Sequence, residues 1–163
     1  MTTLSLLDIH TCILGASRDS RHTEYAIQVR AGSRHAIVRR RYSAFVQLRQ
    51  LILAHLASPC CFCGHDDACQ LRGILRPVFA ELEFDTLHIL NTDHVVQQRI
   101  SKLHFFLQRL HDALYKSPDA AIATSEARGC KAMTLLRSFF QVALVGADNA
   151  EPTQVSRRRC PWS

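Results

Sequence analysis

At Tyr42 the apolar period of the chain changes from two to about three and a half, and this switch constrains the fold more than any other feature. Upstream, Tyr25, Ile27 and Val29 alternate with Glu24, Ala26 and Gln28. The short turn Ala31-Gly32-Ser33 then leads into a further extended run, Arg34 to Arg41. An earlier apolar run, Leu4 to Leu14, is closed by turn-forming residues from Gly15 to Ser20. Three extended runs joined by two short turns predict an antiparallel meander. Downstream of the switch, Phe45, Leu48, Ile52 and Leu56 share one helical face, which predicts an amphipathic helix packed on that sheet.

From Ala57 to Asn91 no period holds, and Pro59, Gly64, Gly73 and Pro77 interrupt the chain. A connection of that length inside a compact domain is functional, disordered, or conceals a short element. Asn91-Thr92-Asp93 offers helix caps, and Val96, Ile100, Leu103, Leu107, Leu110 and Leu114 predict a long core-facing helix ending near Tyr115 to Pro118. Asp119 to Gly129 reads as a partly helical connector, and Ala132 to Val145 as one last helix. The expected fold class is α+β, a three-stranded antiparallel meander packed against a helical subdomain of three to four helices. With 163 residues, 47% of them hydrophobic, the chain suits one domain. Its expected extent is residues 1–146, with an irregular cysteine-containing connection over 57–91, followed by a mobile basic tail over 147–163.

The formal charge of +6 favours an acidic partner. Aromatic residues make up only 7%, and no zinc-spaced finger, interleaved aromatic strand or basic heptad helix is present, so nucleic acid is not expected and an anionic membrane surface is preferred. No apolar run approaches the roughly 20 residues of a spanning helix, and the N-terminus lacks the basic start of a signal peptide. Seven cysteines, an odd number, fit reduced thiols in the cytoplasm better than a secreted disulfide framework.

Two groups of residues carry candidate chemistry. The run Arg39-Arg40-Arg41-Tyr42 ends a strand where a helix begins, and adjacent guanidinium forks suit a phosphorylated ligand. The same run would also serve as a solvated strand end that discourages edge pairing. In the irregular connection, Cys60-x-x-Cys63 followed by His65 and Cys69 is a candidate tetrahedral zinc set, with Cys61 and His55 nearby. Ligands so close in one loop often fail to converge, so the expectation is no metal and no cofactor. There is no nucleophile elbow, phosphate-cradling glycine loop or metalloprotease helix, and His104 and His111 sit beside the Leu103 and Leu107 face as boundary residues. The chain is not expected to be an enzyme.

The order of these elements, with Arg41-Tyr42-x-x-Phe45-x-x-Leu48, the stretch Val95 to Leu107 and the ending Cys130 to Phe140, resembles the PX (Phox homology) domain family. The resemblance covers Leu4 to about Val145. It implies a phosphoinositide-binding module, for phosphatidylinositol 3-phosphate, that docks peripherally on endosomal membranes in trafficking or signalling. Arg41 would then hold the 3-phosphate, Tyr42 would lie under the inositol ring and Arg99 would reach the hydroxyls beyond it, with Arg40 and Arg76 as further candidates. Ile74, Leu75, Val78 and Phe79 would form a loop that inserts into the membrane. Family members place a basic residue in the connection before the long helix, where this chain aligns Phe79 to Phe84 with Glu81 among them. Arg72 or Arg76 would have to substitute for that cation. The alternative is a PX-like protein-interaction scaffold with weak or lost lipid binding.

Overall fold

The computed structural model describes residues 4–19, 21–59, 61, 63, 69–84 and 92–146. Strand β1 spans His10–Arg18, β2 Thr23–Ala31 and β3 Arg34–Arg41, forming one antiparallel sheet in the order β1-β2-β3. Ala31 pairs with Arg34, so Gly32 and Ser33 form a two-residue hairpin turn. Gly32 has φ 60° while Ser33 has no positive φ, the pattern of a type II′ turn whose twist matches that of the strands.

The first strand differs from its expected limits. It begins after a short 3-10 turn at Leu6–Asp8 and continues to Arg18, through the residues read as a turn. The register shifts between Ile13 and Gly15, and Gly15 takes φ 155°, so the glycine marks a bulge inside the strand rather than its end.

Helix α1, Tyr42–Ala57, buries Tyr42, Phe45, Leu48, Ile52 and Leu56, as the period requires. Helix α2, Arg72–Ala80, lies within the connection read as irregular and buries Leu75, Val78 and Phe79. Helix α3, Asp93–Tyr115, is capped by the Thr92 hydroxyl, which accepts from the Val95 amide, and turns Val96, Ile100, Leu103, Phe106, Leu107, Leu110 and Leu114 into the core. Helix α4 is Asp119–Ala127 and α5 is Lys131–Phe139.

The expected last helix is split, because α5 stops at Phe139 and a short α6, Val142–Gly146, follows. Gln141 between them has φ 50°, a left-handed conformation that ends helices. The expected tail over 147–163 lies outside the described residues. The fold is therefore an α+β meander packed against a helical subdomain. One core joins the inner face of the sheet, Tyr25, Ile27, Val29 and Val38, to Phe45, Phe79, Leu107 and Phe140. Phe45 meets Phe139 edge-on with centroids 4.9 Å apart, and Phe79 meets Phe106 at 5.3 Å.

Candidate functional site

Strand parity decides what each arginine at the junction can do. In β3, Val38 and Arg40 pair with Ile27 and Tyr25 of the inner face, whereas Arg39 and Arg41 pair with Ala26 and Glu24 of the outer face. Arg40 therefore reaches inward and ends on helix α5. Its guanidinium donates to the Phe139 carbonyl at 2.8 and 3.1 Å and to the Ser138 carbonyl at 3.2 Å, and lies 5.3 Å from the Phe139 ring centroid. The Phe139 carbonyl is otherwise open where α5 ends, and the Ser138 carbonyl, which already accepts from the Gln141 amide, gains a second donor. Arg40 is thus a helix-capping residue, and its donors face protein carbonyls rather than a ligand.

Arg41 has the opposite situation. It is exposed, adopts an extended conformation (φ −74°, ψ 155°) as the N-cap of α1, and its side chain makes no hydrogen bond or ion pair among the described residues. The α1 N-terminus has neither a side-chain cap nor an acid in its first turn, so the positive end of its dipole adds to the charge of Arg41. Across the sheet, Glu24 approaches His22 Nε2 at 3.5 Å.

Tyr42 is 8% exposed. Phe84 packs against it edge-on at 5.2 Å and Tyr25 lies 6.3 Å away between centroids. Arg99, in the second turn of α3, places its guanidinium carbon 4.1 Å from the Tyr42 ring centroid. That distance is within the range of a cation–π contact. Burial raises the pKa of Tyr25, against the opposing charges of Arg99 and Arg18, so Tyr25 remains a neutral phenol. Tyr42 and Arg99 thus come together from α1 and α3, while Arg41, the residue before Tyr42, leaves the outer face of β3. The expected arrangement differs in one respect, because the Tyr42 face is covered by Arg99. Tyr42 orients the guanidinium instead of offering an open platform.

The other expected positions fare differently. Leu75, Val78 and Phe79 are 0%, 6% and 0% exposed, so they are core residues of α2 and not a membrane-inserting loop. Ile74 is half-buried beside them, and Arg76 is exposed on the opposite side of the helix. Glu81 pairs with Arg109 at 2.6 Å, ten residues beyond Arg99 on α3, or roughly 15 Å along the helix axis. Arg72 donates to the Ser58 carbonyl at 3.2 Å.

Of the candidate metal ligands, Cys60 and His65 lie outside the described residues. Cys63 and Cys69 do meet, with sulfurs 3.7 Å apart. His55, Cys61 and Cys130 join them. Loop spacing could not reveal Cys130, which is 61 residues from Cys69. No protein-family model matches this chain, and no curated protein matches it.

Proposed function

We propose that the corner formed by Arg41, Tyr42 and Arg99 receives the phosphorylated headgroup of a phosphoinositide, with phosphatidylinositol 3-phosphate the expected lipid. The chain would then act as a peripheral membrane-targeting module in endosomal trafficking. The observation that carries this reading is the Arg99 guanidinium held 4.1 Å from the ring centroid of Tyr42, the residue that follows the exposed Arg41 in the chain. Two guanidinium groups fixed on different elements can grip opposite sides of one headgroup, and the charge-assisted bonds they offer are strong. No helix among the described residues is long and apolar enough to cross a membrane, which accords with docking from one side.

A protein-interaction scaffold is the second reading, favoured by the burial of Leu75, Val78 and Phe79. Without those side chains to insert, lipid affinity rests on charge. Vesicle flotation separates the two readings. Wild-type chain should prefer phosphatidylinositol 3-phosphate vesicles over phosphatidylserine vesicles of equal charge, and Arg41→Ala should abolish the preference without altering the melting temperature. Equal binding to both vesicle types by the wild type would reject the lipid reading in favour of the scaffold.

A further inference from the structure

Four sulfurs and an imidazole meet where three distant segments converge. His55 lies in the last turn of α1, Cys61, Cys63 and Cys69 in the connection to α2, and Cys130 at the N-cap of α5. Cys61 Sγ is 3.2 Å from Cys63 Sγ, which is 3.7 Å from Cys69 Sγ. Cys69 Sγ is 3.6 Å from Cys130 Sγ, and that sulfur is 3.9 Å from His55 Nε2. All four cysteines are free and buried, 2–4% exposed. We propose that His55, Cys61, Cys69 and Cys130 form a structural zinc site that fastens the α1–α2 connection to the end of α1 and the start of α5.

Zinc binds thiolate at about 2.3 Å and imidazole at about 2.0–2.1 Å, so a tetrahedral site separates its sulfurs by about 3.8 Å and a sulfur from a nitrogen by about 3.5 Å. The ligand atoms of His55, Cys61, Cys69 and Cys130 all lie within 4.8 Å of one another, close to that geometry. Cys61 and Cys63 stand nearer to each other, at 3.2 Å, than two sulfurs on one zinc, so only one of them ligates as placed. Cys63 is assigned the outer position, where its thiol can donate to the bound sulfurs of Cys61 and Cys69. Four protein ligands leave no open coordination position, which makes the site structural.

Ordinary packing explains this cluster less well. Buried cysteines usually behave as small apolar side chains among hydrocarbon neighbours, but these sulfurs have one another as hydrogen-bonding partners. Cys61, Cys63 and Cys69 are also buried although neither helix nor strand holds them. Three thiolates on one zinc leave one net negative charge. Arg128 and Lys131 line a cleft of about 410 Å³ that opens onto His55, Cys61, Cys63 and Cys130, giving both compensating charge and a path for the ion. Arg128 also donates to the Cys63 carbonyl at 3.5 Å.

The full-length chain, purified under reductant without chelator and loaded with zinc chloride, should hold one zinc per chain by elemental analysis. Stripping with chelator should lower its melting temperature, and cobalt added to the stripped protein should give the absorption bands of tetrahedral thiolate coordination. Cys63→Ser should keep the zinc and these bands, while Cys69→Ser should lose stoichiometric zinc. His55→Gln, a ligand change at the edge of the cluster, should alter the cobalt bands even if the other variants fold poorly. Less than a tenth of a zinc per chain after loading, with thiols reduced, would overturn the proposal, as would a disulfide between Cys69 and Cys130 that forms in preference to metal binding. Unchanged zinc in Cys69→Ser, or complete loss in Cys63→Ser, would overturn the ligand assignment.

Discussion

Adjacent arginines at the sheet edge differ because their side chains leave opposite faces of β3. Arg40 spends its donors on the end of α5, while Arg41 keeps them directed outward. Arg49 repeats the inward role, donating to the Phe79 carbonyl at 2.8 Å where α2 ends. Arg40→Ala should therefore cost about 2 kcal/mol of folding stability, the scale of hydrogen bonds made by a charged group. Urea denaturation should show that loss for Arg40→Ala and none for Arg41→Ala. The alternation that separates these roles was present in the sequence, since Val38 is apolar and Arg40 lies two residues later; reading three arginines as one cluster obscured it. His111 makes another testable case at this scale. Burial, with a smaller contribution from nearby His10 and against the opposing Asp112, holds its pKa at about 4, and its Nε2 lies 2.7 Å from Thr11 Oγ1. Below the usual histidine pKa the unfolded chain takes up a proton that the folded chain refuses, so stability falls as pH drops from about 6.5 to about 4. The loss amounts to about 3 kcal/mol at most. In melting curves across that interval, His111→Gln should flatten the pH dependence.

The elements were legible where one face had to be apolar over many turns, as in α1 and α3. They were hidden where local signals conflicted. Leu71 at the cap of α2 and Ile74, Leu75, Val78 and Phe79 within it have helical spacing, but Gly73 and Pro77 read as breakers. Pro77 removes one bond of the ladder, that to the Gly73 carbonyl, and α2 nevertheless continues to Ala80. The split between α5 and α6 had no comparable sequence signal. Gln141, at φ 50°, occupies a position that usually favours glycine, and Arg40 from a remote strand bonds the carbonyls just before it. Left-handed backbone costs a side-chain-bearing residue roughly 1–2 kcal/mol, part of which glycine returns as entropy on unfolding. Gln141→Gly should thus raise stability by about 0.5–1 kcal/mol in urea titrations. A destabilising result would mean that the Gln141 side chain makes a contact worth more than the strain.

At the scale of the whole molecule, the charge of +6 gives little information until its arginines are sorted by what they touch. Arg40, Arg49, Arg72 and Arg137 all donate to main-chain carbonyls and hold the fold together. The cations left for a partner are fewer than the composition implies. Because α2 turns its large apolar side chains into the core, membrane attachment through this face would depend on those cations, and exposed charges are screened over about 8 Å at physiological salt. Binding to phosphoinositide vesicles should therefore weaken steeply between low and physiological ionic strength, measured by flotation. A salt-insensitive interaction would point to buried apolar contact and count against a charge-based docking surface.

The corner at the end of β3 also has a history during synthesis. Tyr42 is held by Arg99 from the long helix, and Arg40 beside it reaches Phe139, 99 residues downstream. Contacts between such distant parts of a chain form late, after nearer neighbours have already associated. A nascent chain emerging N-terminus first can pair its three strands early, yet it lacks the Arg99 side of the corner until α3 has left the ribosome. Of the residues that would recognise a ligand, Arg99 is thus brought into place only by α3, and occupancy of the corner would report that α3 has docked on the sheet.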